Sequence, residues 1–135
     1  MEGSLGTARR FARALDAADY DCAANCLSSI CEYSIRDRIL RGGPAIVASY
    51  READTWAASM LESVRYENDV RSTPTGAVIT FLDHLEHHGH THTHRCEQRL
   101  EFDEAGRICR ILHVDLPGER EALAAFFKHL EMTRA

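Results

Sequence analysis

An α+β fold, with helices on one face of a curved antiparallel sheet, is predicted by three observations. Up to Met60 the apolar residues recur mainly at helical spacing, with one short extended run between them. After Met60 the pattern changes to extended segments separated by turn residues. From Glu119 the helical spacing returns. Helices first, then a long antiparallel meander, then a helix is the order of a sheet covered on one face.

The elements follow from local chemistry. Phe11, Ala14, Leu15 and Ala18 place a first amphipathic helix at about Thr7 to Ala18. Asp19 or Asp21 caps a short second helix over Cys22, Ala23 and Cys26. The run "ICEYSIR" reads as a strand. "RGGPAIVASYREADTWAASM" begins a helix at Pro44, whose missing N–H costs nothing at a first helical position, and Ile46, Val47, Tyr50 and Trp56 form its apolar side. "ESVRYENDV" is a strand and "RSTPTG" a loop. "AVITFLDHLEH" and "HTHTHRCEQRLEF" are long strands around a His88-Gly89 turn, where glycine permits positive φ. "DEAG" turns the chain into the last strand, "RICRILHVDL". The final helix, Glu119 to Met132, carries Leu123, Phe126, Phe127 and Leu130 on one stripe. No repeat or low-complexity linker divides the 135 residues, so one domain is expected, with its core at about 5–118.

Sixteen Lys and Arg against twenty-one Asp and Glu give a net charge of −5 with no basic cluster, which argues against nucleic acid or an anionic membrane as partner. "MEGSLGTARRFARAL" lacks the apolar core of a secretory signal, and no apolar run reaches membrane-spanning length. The five cysteines contain no Cys-x-x-Cys pair and read as reduced, small apolar residues. A cytoplasmic location follows from these features.

Six histidines fall between His84 and His94. Side chains alternate along a strand, so parity sorts them. His90, His92, His94, Cys96, Gln98, Leu100 and Phe102 share one face; Thr91, Thr93, Arg95, Glu97, Arg99 and Glu101 share the other, which must meet water. The first set faces the interior. With a two-residue turn, His87 faces His90, Leu85 faces His92, Asp83 faces His94, Phe81 faces Cys96 and Ile79 faces Gln98. Directly opposite residues bring their Cβ atoms to about 5 Å, within reach of an Asp83–His94 interaction. His84 falls on the outer face. A one-residue shift of the turn exchanges every assignment. In the last strand His113 and Asp115 share a face with Cys109 and Ile111; pairing Leu100 with Cys109 sets His113 beside Cys96 and Asp115 near His94. The other face, Ile108, Leu112 and Val114, is apolar too, so parity leaves the facing open, and a bulge lets Ile108 and Ile111 both point inward.

The stretches "FARALDAADYDCAANCL", "RGGPAIVASYRE", "HHGHTHTHR" and "FDEAGRICRILHVDLPG" resemble the nuclear transport factor 2-like superfamily, in particular its SnoaL-like branch, in element order over about residues 5–118. The resemblance implies a cone-shaped α+β barrel, a curved antiparallel sheet wrapped around the N-terminal helices, here with an added C-terminal helix. It implies a pocket at the wide end and a homodimer formed through the sheet. Reactions on the fold include polyketide ring closure, ketosteroid isomerisation, dehydration and epoxide hydrolysis; some members bind without catalysing. "HVD" looks like the histidine-x-aspartate that ends the last strand of SnoaL-like cyclases, which implies an acid–base role for Asp115. "FARALDAADYD" and "GHTHTH" are similar to stretches of scytalone dehydratase, which implies Asp16 and His92; Leu15 stands where that family has a tyrosine. The ketosteroid isomerase pattern fits worse, since its carboxylate falls at Tyr33 or Ser34.

The residues support an acid–base reaction, lyase, isomerase or cyclase in type with dehydration favoured, on a small, largely apolar carbonyl or hydroxyl compound. A near-neutral imidazole beside a carboxylate can accept or donate a proton at neutral pH. His94 or His92 is the expected acid/base, Asp83 or Asp115 its orienting carboxylate, and Asp16 a second acid or base. Phe81, Leu85, His90, Cys96, Gln98, His113, Tyr50 and Trp56 are the expected pocket walls. A binding module without turnover is the alternative. A metal reading rests on His90, His92 and His94 sharing a face, but residues two apart along a strand stand about 6.5–7 Å apart, so three converge only with a bend and a further ligand. No metal ligand is assigned, and no dinucleotide or phosphate-binding motif calls for a cofactor.

Overall fold

The computed structural model describes residues 2–133. Four helices and six strands follow one another as α1 (Glu2–Asp16), α2 (Tyr20–Asn25), β1 (Leu27–Ile35), β2 (Arg38–Arg41), α3 (Gly43–Met60), β3 (Ser63–Thr73), β4 (Gly76–His87), β5 (His90–Phe102), β6 (Ile108–Asp115) and α4 (Glu119–Thr133). Helix α1 buries Ala8, Phe11, Ala12 and Ala14 on one stripe and ends at Asp16 rather than Ala18, because Ala18 turns left-handed at φ 57°. Asp19 caps α2 by accepting from the Cys22 N–H at 3.2 Å.

The strands form one sheet in the order β2-β1-β6-β5-β4-β3. All neighbours are antiparallel except β1 and β6, which run parallel. The meander read after Met60, β3 to β6, is antiparallel as expected, and the expectation of an antiparallel sheet is corrected at the β1–β6 junction. The sequence reading also lacked β2, a four-residue strand too short to show a period, set back onto β1 by a turn in which Arg36 takes φ 54°. The expected loop at 71–76 is likewise shorter: β3 continues to Thr73, which pairs with Gly76 across Pro74 and Thr75.

The main core lies between the concave face of the sheet and helices α1 to α3, around Phe11, Ile46, Ile79, Leu100, Ile108 and Ile111. Each such side chain contributes about 1.5–3 kcal/mol on burial. Helix α4 lies against β5, over a smaller cluster of Leu61, Leu85 and Leu130. Gly76 starts β4 where no larger residue fits. A Cβ there would sit 1.9 Å from the carbonyl oxygen of Leu100 in β5. Gly76→Ala is therefore expected to cost about 1–3 kcal/mol, read as a lower urea midpoint at unchanged slope. An unchanged midpoint would mean that β4 and β5 separate freely at this end.

Candidate functional site

The β4–β5 hairpin turns on His88 (φ 48°) and Gly89 (φ 81°), the double left-handed geometry of a two-residue loop. That turn fixes the register: His87 opposite His90, Leu85 opposite His92, Asp83 opposite His94, Phe81 opposite Cys96 and Ile79 opposite Gln98. Strand β6 sits two residues from the expected alignment with its facing unchanged, so Gln98 meets His113 and Cys96 meets Asp115. A bulge between the Glu101 and Phe102 pairs lets Ile108 and Ile111 both be buried.

A cavity of about 410 Å³ opens between this hairpin, α1, α3 and α4. The size suits a small organic ligand. Asp16, Asp83, His94, Phe81, Leu85, Cys96, Gln98, His113, Tyr50 and Trp56 all line it. His90 and His92 do not. Helix α4 covers that end of β5, setting His129 against His90 (4.7 Å between centroids) and stacking Phe126 on His92 (5.3 Å). The apolar stripe of α4 needed a surface, and the open end of the concave sheet supplied it. Asp115 is also outside the lining, held by two hydrogen bonds from Arg36 at 2.9 and 3.0 Å. Among the described residues His90, His92 and His94 therefore form no three-ligand metal set. Trp56 stands at the mouth, half exposed, against Phe127 at 5.1 Å.

The polar groups of the cavity form separate systems. Gln98, 3% exposed, organises the first: its Oε1 accepts from Tyr50 at 2.5 Å, and its Nε2 donates to Tyr33 at 3.0 Å and to Nδ1 of His113 at 3.2 Å. With Nδ1 accepting, His113 carries its proton on Nε2 and donates to Asp115 at 3.0 Å. The Tyr33 hydroxyl also meets the Tyr50 hydroxyl, whose own proton goes to Gln98, so Tyr33, Tyr50 and Gln98 form one hydrogen-bonded cluster on the cavity wall. Burial pushes the Tyr33 and Tyr50 hydroxyls well above the ordinary phenol range, so both act as donors.

The second system is acidic. Asp54 accepts from Tyr66 at 2.7 Å and from Tyr20 at 3.2 Å, and Asp16 accepts from Asn68 at 2.5 Å. Burial raises the pKa of Asp16, with the Asn68 hydrogen bond opposing. Asp83 has no hydrogen-bond donor against it among the described residues; burial, and next the Asp16 carboxylate, raise it to about 6. Burial also lowers His94 and His113 below the ordinary histidine range, leaving both neutral at pH 7. Nδ1 of His94 is buried and unpartnered. Asp115 goes the other way: its desolvation is outweighed by the Arg36 and His113 hydrogen bonds, and it stays ionised. Burial lifts the Cys96 thiol to about 12, so it is not a nucleophile at neutral pH.

The sequence reading missed Asp54, Tyr20 and Tyr66. They come from α3, α2 and β3, and only the helical side of Tyr50 and Trp56 signalled which face of α3 turns inward.

No protein-family model and no curated protein sequence matches the chain. Solved structures do. An LEH-like epoxide hydrolase from M. tuberculosis is 19% identical, superposes with a TM-score of 0.67 and covers 98% of each chain. TerC, solved in co-crystals with polyporic acid, is 10% identical with a TM-score of 0.70, covering 93% of this chain and 98% of its own. An NTF2-like protein of unknown function from Exiguobacterium is 14% identical with a TM-score of 0.63, covering 80% and 96%.

The chain has the NTF2-like fold. At these identities the likeness carries the fold and no reaction. No described helix is long and apolar enough to cross a membrane.

Proposed function

We propose that the cavity performs a cofactor-independent acid–base reaction on a small, largely apolar carbonyl or hydroxyl compound, lyase, isomerase or cyclase in type, with dehydration the first choice. The observation that carries this reading is Asp83, a cavity-facing carboxyl at about pKa 6 with no hydrogen bond to occupy it. A carboxyl with that pKa is half ionised at about pH 6 and mostly ionised at neutrality, and it takes a proton α to a carbonyl more effectively than an ordinary aspartate. Tyr33, held in its cluster with Tyr50 and Gln98, turns its hydroxyl to the substrate oxygen and donates a hydrogen bond as charge develops there. Neutral His94, directly across the hairpin from Asp83, relays the proton that Asp83 has taken to the leaving hydroxyl, so that water departs and both groups end as they began. Gln98 and His113 position Tyr33, and Asp115 fixes the His113 tautomer. The roles differ from the sequence expectation: Asp83 is the base rather than the orienter, Asp115 orients at one remove, and His92 takes no part. That an epoxide hydrolase and a protein crystallised with polyporic acid share the fold supports a small-molecule cavity.

The test needs no known substrate. A panel of hydroxyketones, enones and phenolic alcohols is incubated with the protein in D₂O, and exchange α to the carbonyl is followed by NMR. Exchange above the buffer rate that falls at least tenfold in Tyr33→Phe supports the reaction. Ligands that bind in the cavity with neither exchange nor turnover would make the protein a binding module.

The same reading retains a cytoplasmic homodimer joined through the outer face of the sheet. Ile39 and Leu112 flank Ser34 there at 53% and 43% exposure, and Ile30 stands at 78% on the same strand face.

A further inference from the structure

The tip of the β4–β5 hairpin lies outside the cavity and has chemistry of its own. Glu62, His87 and His88 each offer a donor atom, all within 4.8 Å of one another. Consecutive strand residues normally point to opposite faces. The left-handed φ of His88 cancels that alternation and brings its ring to 4.1 Å from the His87 ring, at 64°. Glu62, in the short connection from α3 to β3, reaches across to the turn. Its Oε1 accepts from the His88 backbone N–H and lies 3.4 Å from Nδ1 of His88. Nδ1 of His87 is buried and has no partner.

The geometry points to a divalent transition-metal site formed by Glu62, His87 and His88, with zinc as the fitting ion. Two imidazoles and one carboxylate, with a fourth position open to water, are a donor set that zinc takes readily. Donors bound at about 2.0–2.1 Å in a tetrahedron stand about 3.3 Å apart, which the Glu62–His88 pair already matches. His87 closes the remaining gap by a rotation of its ring.

The site cross-braces two segments that wall the cavity. Leu61 precedes Glu62 and Leu85 lies two residues before His87, and both line the cavity. Occupancy therefore ties the end of α3 to the hairpin beside the mouth. His90 is the strand partner of His87, but its ring is engaged with His129 of α4. That imidazole pair is the competing location for an ion.

The test uses protein prepared without a histidine tag and stripped with a chelator. Zinc is titrated by calorimetry, and cobalt is used as a visible-absorption probe of coordination. The expected result is one equivalent of zinc and a raised Tm. Glu62→Gln and His88→Asn, the latter keeping a residue that tolerates the left-handed turn, should each weaken binding at least about tenfold. His90→Gln and His129→Gln should leave it unchanged. Binding weaker than about 0.1 mM would reduce the site to an adventitious ion and overturn the proposal. So would stoichiometric binding that survives Glu62→Gln and His88→Asn, or that disappears only in the His90 and His129 variants.

Discussion

Asp83→Asn is expected to make the protein more stable and to remove the proposed activity. In the fold the Asp83 carboxyl titrates at about 6, against 3.8 for an ordinary aspartate. A raised folded pKa means that the native state favours the protonated form. Its contribution is complete below pH 3.8 and is lost as pH rises through 6. The difference of about two units corresponds to roughly 3 kcal/mol. Asparagine keeps the shape and does not titrate. The variant and the parent should therefore match below about pH 4 and diverge to about 3 kcal/mol in favour of the variant above pH 7. His94 and His113 work in the opposite sense: their lowered pKa values stabilise the fold above pH 6.5 and withdraw that support as pH falls. Both proteins share this acid limb, so the difference between their denaturation midpoints isolates Asp83. Proton exchange in the same variant should fall by about 10²–10⁴, and the parent's rate should rise with pH through about 6. Equal stability at pH 8, or full activity in the variant, would remove Asp83 from the centre of the proposed function.

The second large effect is expected from ending the chain at Gly118. Helix α4 covers Leu61 and Leu85 with Leu130, and it closes the cavity with Leu123 and Phe127. The main core, around Phe11, Ile79 and Ile111, has no member in α4 and should persist. Without the helix, Leu85, His90 and His92 face water and Trp56 is parted from Phe127. Folded protein should remain by circular dichroism, with new binding of a hydrophobic dye. Affinity for any cavity ligand that rests on Leu123 or Phe127 should fall at least about tenfold, because each of these walls shields apolar ligand surface from water. Unchanged affinity and no dye binding would mean that α4 closes nothing.

Much of this site was legible because one turn propagates a long way. The His88-Gly89 dipeptide sets a two-residue loop, and strict alternation then fixes which residues of both strands face inward, down to Ile79 and Gln98. The position of α4 was not legible. Its stripe announces that it packs, but sequence spacing cannot say which end of the sheet receives it, and His90 and His92 were assigned to the pocket for that reason. The Asp54 system was hidden differently. Tyr20, Asp54 and Tyr66 carry no shared period, and each alone reads as an ordinary helix or strand residue. The parallel β1–β6 pair escaped because alternation gives facing and not direction.

That pair has a consequence for how the molecule comes into being. Strand β1 is made well before β6, yet its neighbours are β2 and that far distant strand, to which Tyr33 pairs at Ile111. The β4–β5 hairpin needs only adjacent chain and can form on its own timescale of microseconds. Strand β1 must wait for nearly the whole sequence. One edge of β1 stays unpaired until β6 is available, and the high sequence separation of that pairing makes closure of the sheet slow beside formation of the hairpin.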